Sequence, residues 1–104
     1  DEYYKMGFEE AMTITKDVLG DTPSYFTFDI DGIDPTFAPG TGTPEVGGFN
    51  VREAQMIVRD LVNINFIGAD VVEVSPPFDV NNMTSLVGAT IAFEILCTMT
   101  KTNK

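Results

Sequence analysis

Two runs dense in aromatic and β-branched residues, each set between stretches of helical spacing, limit this chain more than any other feature. From Gly7 to Leu19, the residues Phe8, Ala11, Met12, Ile14, Val18 and Leu19 fall mostly on one side of a helix, which Gly20-Asp-Thr-Pro23 then stops. Ser24 to Ile30 (Ser-Tyr-Phe-Thr-Phe-Asp-Ile) reads as a strand. Asn50, with Glu53 three positions later, makes a capping box opening a helix that carries Ala54, Ile57, Val58, Leu61 and Val62. After Gly68, the segment Ala69 to Val74 is a second strand, apolar on both faces except for its acids. A last helix, from about Asn82 to Met99, is apolar almost all round and is expected to be mostly buried.

This alternation predicts parallel strands joined by crossover helices, an α/β layered fold. Two strands make a poor sheet, and strands apolar on both faces need neighbours. The chain is therefore expected to be part of a larger domain, and its opening on Asp1 rather than Met points the same way. No internal repeat or low-complexity segment interrupts the pattern.

Composition removes several functions. At 104 residues the chain suits one compact unit. A net charge of −10 disfavours nucleic acid and anionic membranes as partners and suits a cationic small molecule or metal ion. With no histidine, Ser-His-Asp and Cys-His chemistry and His-ligated metals are excluded within the chain. A single cysteine, Cys97, forms no internal disulfide and reads as a small core residue, with Met56, Met83 and Met99 as packing residues. The apolar stretch from Leu86 to Met99 falls short of the ~20 residues of a membrane span and contains Glu94. No basic-then-apolar leader pattern is seen, and a cytoplasmic location is the default expectation.

The chemistry gathers at the strand ends. Asp29 and Asp31 stand two apart at the carboxyl end of the first strand, a spacing that sends both carboxylates to one side. In open α/β sheets ligands bind beyond the carboxyl ends of strands. Two neighbouring carboxylates repel unless a cation lies between them, and hard divalent ions favour such oxygen donors. The structural alternative has one Asp capping the turn and the other solvated. Asp34, before Pro35, reads as a loop-fixing acceptor. The Gly/Pro/Thr-rich loop from Gly32 to Phe49, about 18 residues long, exceeds most loops of compact domains. An EF-hand is ruled out, because Asp34 and Gly40 stand where that loop requires Gly and Glu. Gly40 to Pro44 lacks the Gly-Lys-Ser/Thr of a phosphate cradle. Glu73, between Val72 and Val74, reads as a buried carboxylate that needs a partner: a bound guanidinium, or Arg52 or Arg59.

Phe28-Asp-Ile-Asp-Gly-Ile-Asp-Pro35, Ala38-Pro-Gly-Thr-Gly-Thr-Pro44 and Gly47-Gly48 together resemble the carboxyl-terminal signature of the ureohydrolases, the arginase/agmatinase family. Val71-Val-Glu-Val-Ser-Pro-Pro-Phe-Asp79 resembles the second signature in its agmatinase form, and the similarity runs from about Ser24 to Met99. Thr27 departs from the more usual Ser. The resemblance implies the carboxyl-terminal third of a three-layer α/β/α domain that hydrolyses a guanidino compound to urea and an amine at a binuclear manganese centre. By position, Asp29 would bridge both ions and Asp31 would ligate one. Glu73 would receive the substrate guanidinium and Thr43 would lie beside the reacting carbon.

The family's other metal ligands, a His and a D-A-H-x-D motif, and its His proton shuttle have no counterpart here. The isolated chain is therefore expected to be inactive and to bind Mn²⁺ poorly. Agmatine is the favoured substrate of the parent, with guanidinobutyrate, proclavaminate-type substrates and arginine as alternatives. Family members assemble as trimers or hexamers, so the parent is expected to be a homo-oligomer. Two readings from other classes remain: a truncated, non-catalytic paralogue packing on a full-length subunit, and a metal-free α/β binding module.

Overall fold

The computed structural model describes residues 5–102 other than Glu45. Its order is α1 (Phe8–Leu19), β1 (Ser24–Asp29), α2 (Val51–Asp60), β2 (Phe66–Val72) and α3 (Met83–Thr102), with single 3₁₀ turns at Ile30–Gly32 and Pro76–Phe78. β1 and β2 pair in parallel, from Ser24 opposite Phe66 to Asp29 opposite Val72, and α2 is the crossover. This is the parallel α/β layering that the alternation predicts.

Each element follows from local chemistry. In β1, Phe26 and Phe28 turn inward while Tyr25, Thr27 and Asp29 face out, the period of a half-buried strand. β2 starts at Phe66, ahead of the expected Ala69, because Gly68 is part of the ladder opposite Tyr25. A Cβ at Gly68 would lie 2.9 Å from the Tyr25 ring, so that ring occupies the space a side chain would fill. The strand stops at Val72, before Glu73, whose φ of 70° breaks the extended run. Both halves of the capping box form at α2. Asn50 Oδ1 accepts the Glu53 N–H at 2.7 Å, and Glu53 Oε1 accepts the Asn50 N–H at 3.1 Å.

Two apolar clusters hold the layers. Ile30, Ile33, Ala54, Val58, Ile91 and Ile95 pack between the sheet, α2 and α3. Met12, Leu61, Ile64 and Phe66 pack beneath α1, where Phe66 meets Phe26 edge-to-face at 5.4 Å. Lys16 bridges to Asp60 at 2.9 Å, and Arg59 of α2 clasps Glu94 of α3 in a fork at 2.7 and 2.8 Å.

Several expectations change here. α3 is not mostly buried: Thr84, Gly88, Ile91, Ile95 and Thr98 form its buried stripe, while Leu86 (69% exposed), Phe93 and Leu96 face out. A sheet of two strands and one neighbouring helix can cover only one side of it. For the same reason Cys97, Met56 and Met83 are exposed rather than core residues, and Met99 alone of these packs on the clusters. In α1, Ile14 and Val18 are likewise exposed, leaving Met12 as its buried anchor. By length and composition alone α3 is long and apolar enough to cross a membrane, since Met83–Lys101 has a mean hydropathy of 1.4, and the apolar run extends beyond the Leu86–Met99 expected. Its buried stripe against β2 and α2, and the Arg59–Glu94 clasp, mark it instead as a helix of the layer.

Candidate active site

The long loop after β1 is pinned at both ends. The Asp34 N–H donates to the Phe49 carbonyl and the Phe49 N–H to the Gly32 carbonyl, each at 2.8 Å. The Asp34 carboxylate accepts the N–H groups of Thr36 and Gly47, both at 2.8 Å. Hydrogen bonds from Thr36 and then Gly47 hold its carboxyl below the ordinary carboxylate range. Asp34 is thus the loop-fixing acceptor the Asp-Pro pair predicts.

Asp29 ends β1, and its Oδ1 accepts the Asp31 N–H at 2.9 Å, capping the short turn that follows. The capping half of the structural alternative is therefore present. The strand does not continue to Asp31, so strand alternation is not what brings the two acids together. Ile30, fully buried, anchors the turn between them. Asp31 is half-buried and held by side chains: its Oδ1 accepts the Thr41 hydroxyl and its Oδ2 the Thr43 hydroxyl. Thr43 is thereby tied to Asp31. Thr41, 3% exposed, is a second clamp that sequence reasoning missed. The repeated Thr-Gly-Thr was its only sequence signal.

Glu73 corrects the expectation of a buried carboxylate, because it is exposed. Neither does Arg59 neutralise it, being held by Glu94. Glu73 follows Val72, the rung opposite Asp29, so it stands on the same carboxyl edge of the sheet as Asp29 and Asp31. Its positive φ is uncommon for glutamate, whereas Asn63, Asn81 and Asn82, the other such non-glycine residues among those described, are of a type that tolerates it. Strain of this kind concentrates at ligand sites.

Asp29 and Asp31 offer only oxygen donors, which suits a hard divalent ion. Among the described residues, no group of three or more His, Cys, Asp or Glu side chains gathers to hold a metal. The pair therefore fits part of a metal site rather than a whole one. A groove of about 410 Å³ lies elsewhere, between β2 and α3, with Ala69, Val71, Ile95 and Leu96 among its walls. On it, Asp70 takes the Tyr25 hydroxyl on Oδ2 at 3.0 Å, and Oδ1 is buried without a partner among the described residues.

Asp29, Asp31 and Glu73 thus stand at one carboxyl edge of a parallel α/β layer, the edge beyond which open α/β sheets bind their ligands. The family model "Arginase family" matches residues 1–98, and the chain belongs to that family. Guanidinopropionase of Pseudomonas aeruginosa is 53% identical over 97 residues, spanning 93% of this chain and 30% of the relative. Agmatinase of Salmonella paratyphi B is 48% identical over 90 residues, 86% of this chain and 29% of the relative. The solved proclavaminate amidino hydrolase of Streptomyces clavuligerus superposes with a TM-score of 0.94 at 36% identity, covering 98% of this chain and 35% of that one. The chain thus spans about 30% of the length of the curated relatives it matches.

Proposed function

We propose that this chain is the carboxyl-terminal part of a manganese-dependent amidinohydrolase that converts a guanidino compound to urea and an amine. The observation that carries the reading is the meeting of Asp29, Asp31 and Thr43 on the sheet edge that also bears Glu73. Asp29 and Asp31 would hold the metal. When bound, a pair of divalent ions supplies Lewis acidity and a nucleophile drawn from water at neutral pH. The hydroxyls of Thr41 and Thr43 each occupy one lone pair of an Asp31 oxygen, which fixes the carboxylate plane and leaves further lone pairs for a cation. Glu73 offers a carboxylate to a guanidinium, a charge-assisted and forked fit that orients the central carbon for attack.

Agmatine remains the first substrate to test. The relatives named guanidinopropionase and guanidinobutyrase make guanidino acids of similar length the next. The test is urea release by the whole enzyme with Mn²⁺ and each of these compounds. Asp31→Asn should lower turnover by more than about a hundredfold, beyond the ~10–100-fold typical of losing a hydrogen-bond partner of a metal ligand. Full activity in Asp31→Asn would end this reading. The isolated 104-residue chain should release no urea.

A further inference from the structure

Gly40 joins the two loops of this edge. Its N–H donates to Thr84 Oγ1 at 2.7 Å, and its carbonyl accepts the Ser75 N–H at 2.6 Å. Thr84 is fully buried in the first turn of α3. There the Asp79 carboxylate accepts the N–H groups of Val80 and Thr84 at 2.9 Å and of Ser85 at 3.1 Å. A Cβ on Gly40 would lie 2.8 Å from Asp79 Cβ and Cγ and 2.9 Å from Thr84 Cβ, closer than real side chains approach. Gly40 is therefore closed in by Asp79 and Thr84 and tied to Ser75. Thr41 and Thr43 follow directly, and Ser75 is two residues from Glu73.

We propose that Asp79 and Thr84 are positioning residues: through Gly40 they lock the Thr41–Thr43 segment, and with it the hydroxyls on Asp31, in register with the Glu73 loop. Asp79 orients the first turn of α3, Thr84 presents its oxygen to the Gly40 N–H, and that bond sets the chain direction entering Thr41. The proposal rests on the reading of Asp31 and Glu73 as metal and guanidinium residues. A cap serving α3 alone would explain the bonds of Asp79 but neither the Thr84 acceptor nor the space closed around Gly40.

Thr84→Val separates the two accounts at Gly40, because it keeps the branched shape and the three backbone N–H bonds to Asp79 while removing the hydroxyl that accepts from Gly40 and donates to Asp79. Amide hydrogen exchange of the whole enzyme reads the latch directly. In Thr84→Val the Gly40 and Ser75 amides should lose about ten- to a hundredfold of protection, as expected for a buried donor left without its acceptor. The ladder amides of Phe28 and Val71 should not change, and Thr84→Ser should restore protection. In the whole enzyme Thr84→Val should lower kcat by about tenfold or more with KM within about twofold, and Thr84→Ser should recover it. Unchanged Gly40 protection in Thr84→Val, or Thr84→Ser behaving like Thr84→Val, overturns the proposal. Should Thr84→Val not fold, the unaltered chain decides: Gly40 and Ser75 must exchange as one unit with Thr84 and Ser85, and independent exchange overturns the latch. An unaltered enzyme that releases no urea from any guanidino compound removes the catalytic reading, while the exchange data still judge the latch.

Discussion

Ile91 and Leu86 lie five residues apart on α3 and test which side of that helix carries the fold. Ile91 is 0% exposed in the cluster with Ile30, Val58 and Ile95, whereas Leu86 is 69% exposed. Ile91→Ala removes buried methyl and methylene groups and leaves a cavity, a change that costs about 2–5 kcal/mol. With only two strands and one neighbouring helix around it, this site can collapse further than one in a thick core, so about 2–4 kcal/mol is expected. Against a total stability of roughly 5–15 kcal/mol for a chain of this size, that is a large share. It corresponds to a fall in Tm of roughly 10–25 °C. Leu86→Ala loses little burial and gains helix propensity, so it should stay within about 0.5 kcal/mol. Urea unfolding followed by far-ultraviolet circular dichroism measures both, with the slope expected to stay constant. Equal costs for the two substitutions, or a larger cost for Leu86, would refute the placement of the buried stripe.

Asn50→Ala removes the acceptor of the Glu53 N–H and should cost about 1 kcal/mol, read as a lower urea midpoint with faster amide exchange in the first turn of α2. Glu94 is held below its ordinary pKa, chiefly by the Arg59 hydrogen bonds. A lowered folded-state pKa gives stability that is present above the unfolded carboxylate value and lost as pH falls through the folded one. Arg59→Met should therefore flatten the fall in urea midpoint between about pH 6 and about pH 3. Tyr25 ionises above the ordinary tyrosine range, chiefly because its hydroxyl donates to Asp70, so Asp70→Asn should move one phenol in a spectrophotometric titration to lower pH. Asp79, despite the opposing effect of desolvation, is drawn down to about 2 by the N–H and hydroxyl of Thr84 and the amides of Ser85 and Val80. Its carboxyl resonance in nuclear magnetic resonance should accordingly show no titration until the pH falls well below the ordinary carboxylate range.

What the residues disclosed unaided depended on the range of the forces involved. Asn50 with Glu53 forms its capping box because both partners lie within one turn, and Asp34 fixes its loop because Thr36 is two residues away. The parallel pairing of β1 and β2 was equally legible, since alternating helices and strands leave few other layerings. Burial was not legible in the same way. An apolar helix reads as buried, yet burial depends on how many neighbours the chain supplies, and here they cover the Ile91 side alone. The Phe93 and Cys97 side, with the open sheet, has the composition of an interior and the exposure of a surface. That mismatch is what a segment spanning about 30% of its relatives' length should show.

The site has the same division, with a different physical cause. Asp29, Asp31 and Glu73 are visible in the sequence because acids at the ends of apolar strands interrupt the apolar pattern where α/β sheets bind ligands. How they are held was not visible, because the bonds that hold them span 10, 12 and 44 residues: Thr41 to Asp31, Thr43 to Asp31, and Gly40 to Thr84. Strand spacing suggested that β1 itself aligned the two aspartates. The chain instead leaves the strand after Asp29, buries Ile30 and returns Asp31 on a turn. Two carboxylates on one straight strand would be fixed relative to each other by the ladder alone. On a turn, their relation depends on what grips the second one, and here that grip is the pair of threonine hydroxyls carried by the loop that Gly40 anchors. The glycine- and threonine-rich loop is thus part of what fixes the acid pair, and substitutions in Gly40 to Thr43 should disturb Asp31 before they disturb Asp29.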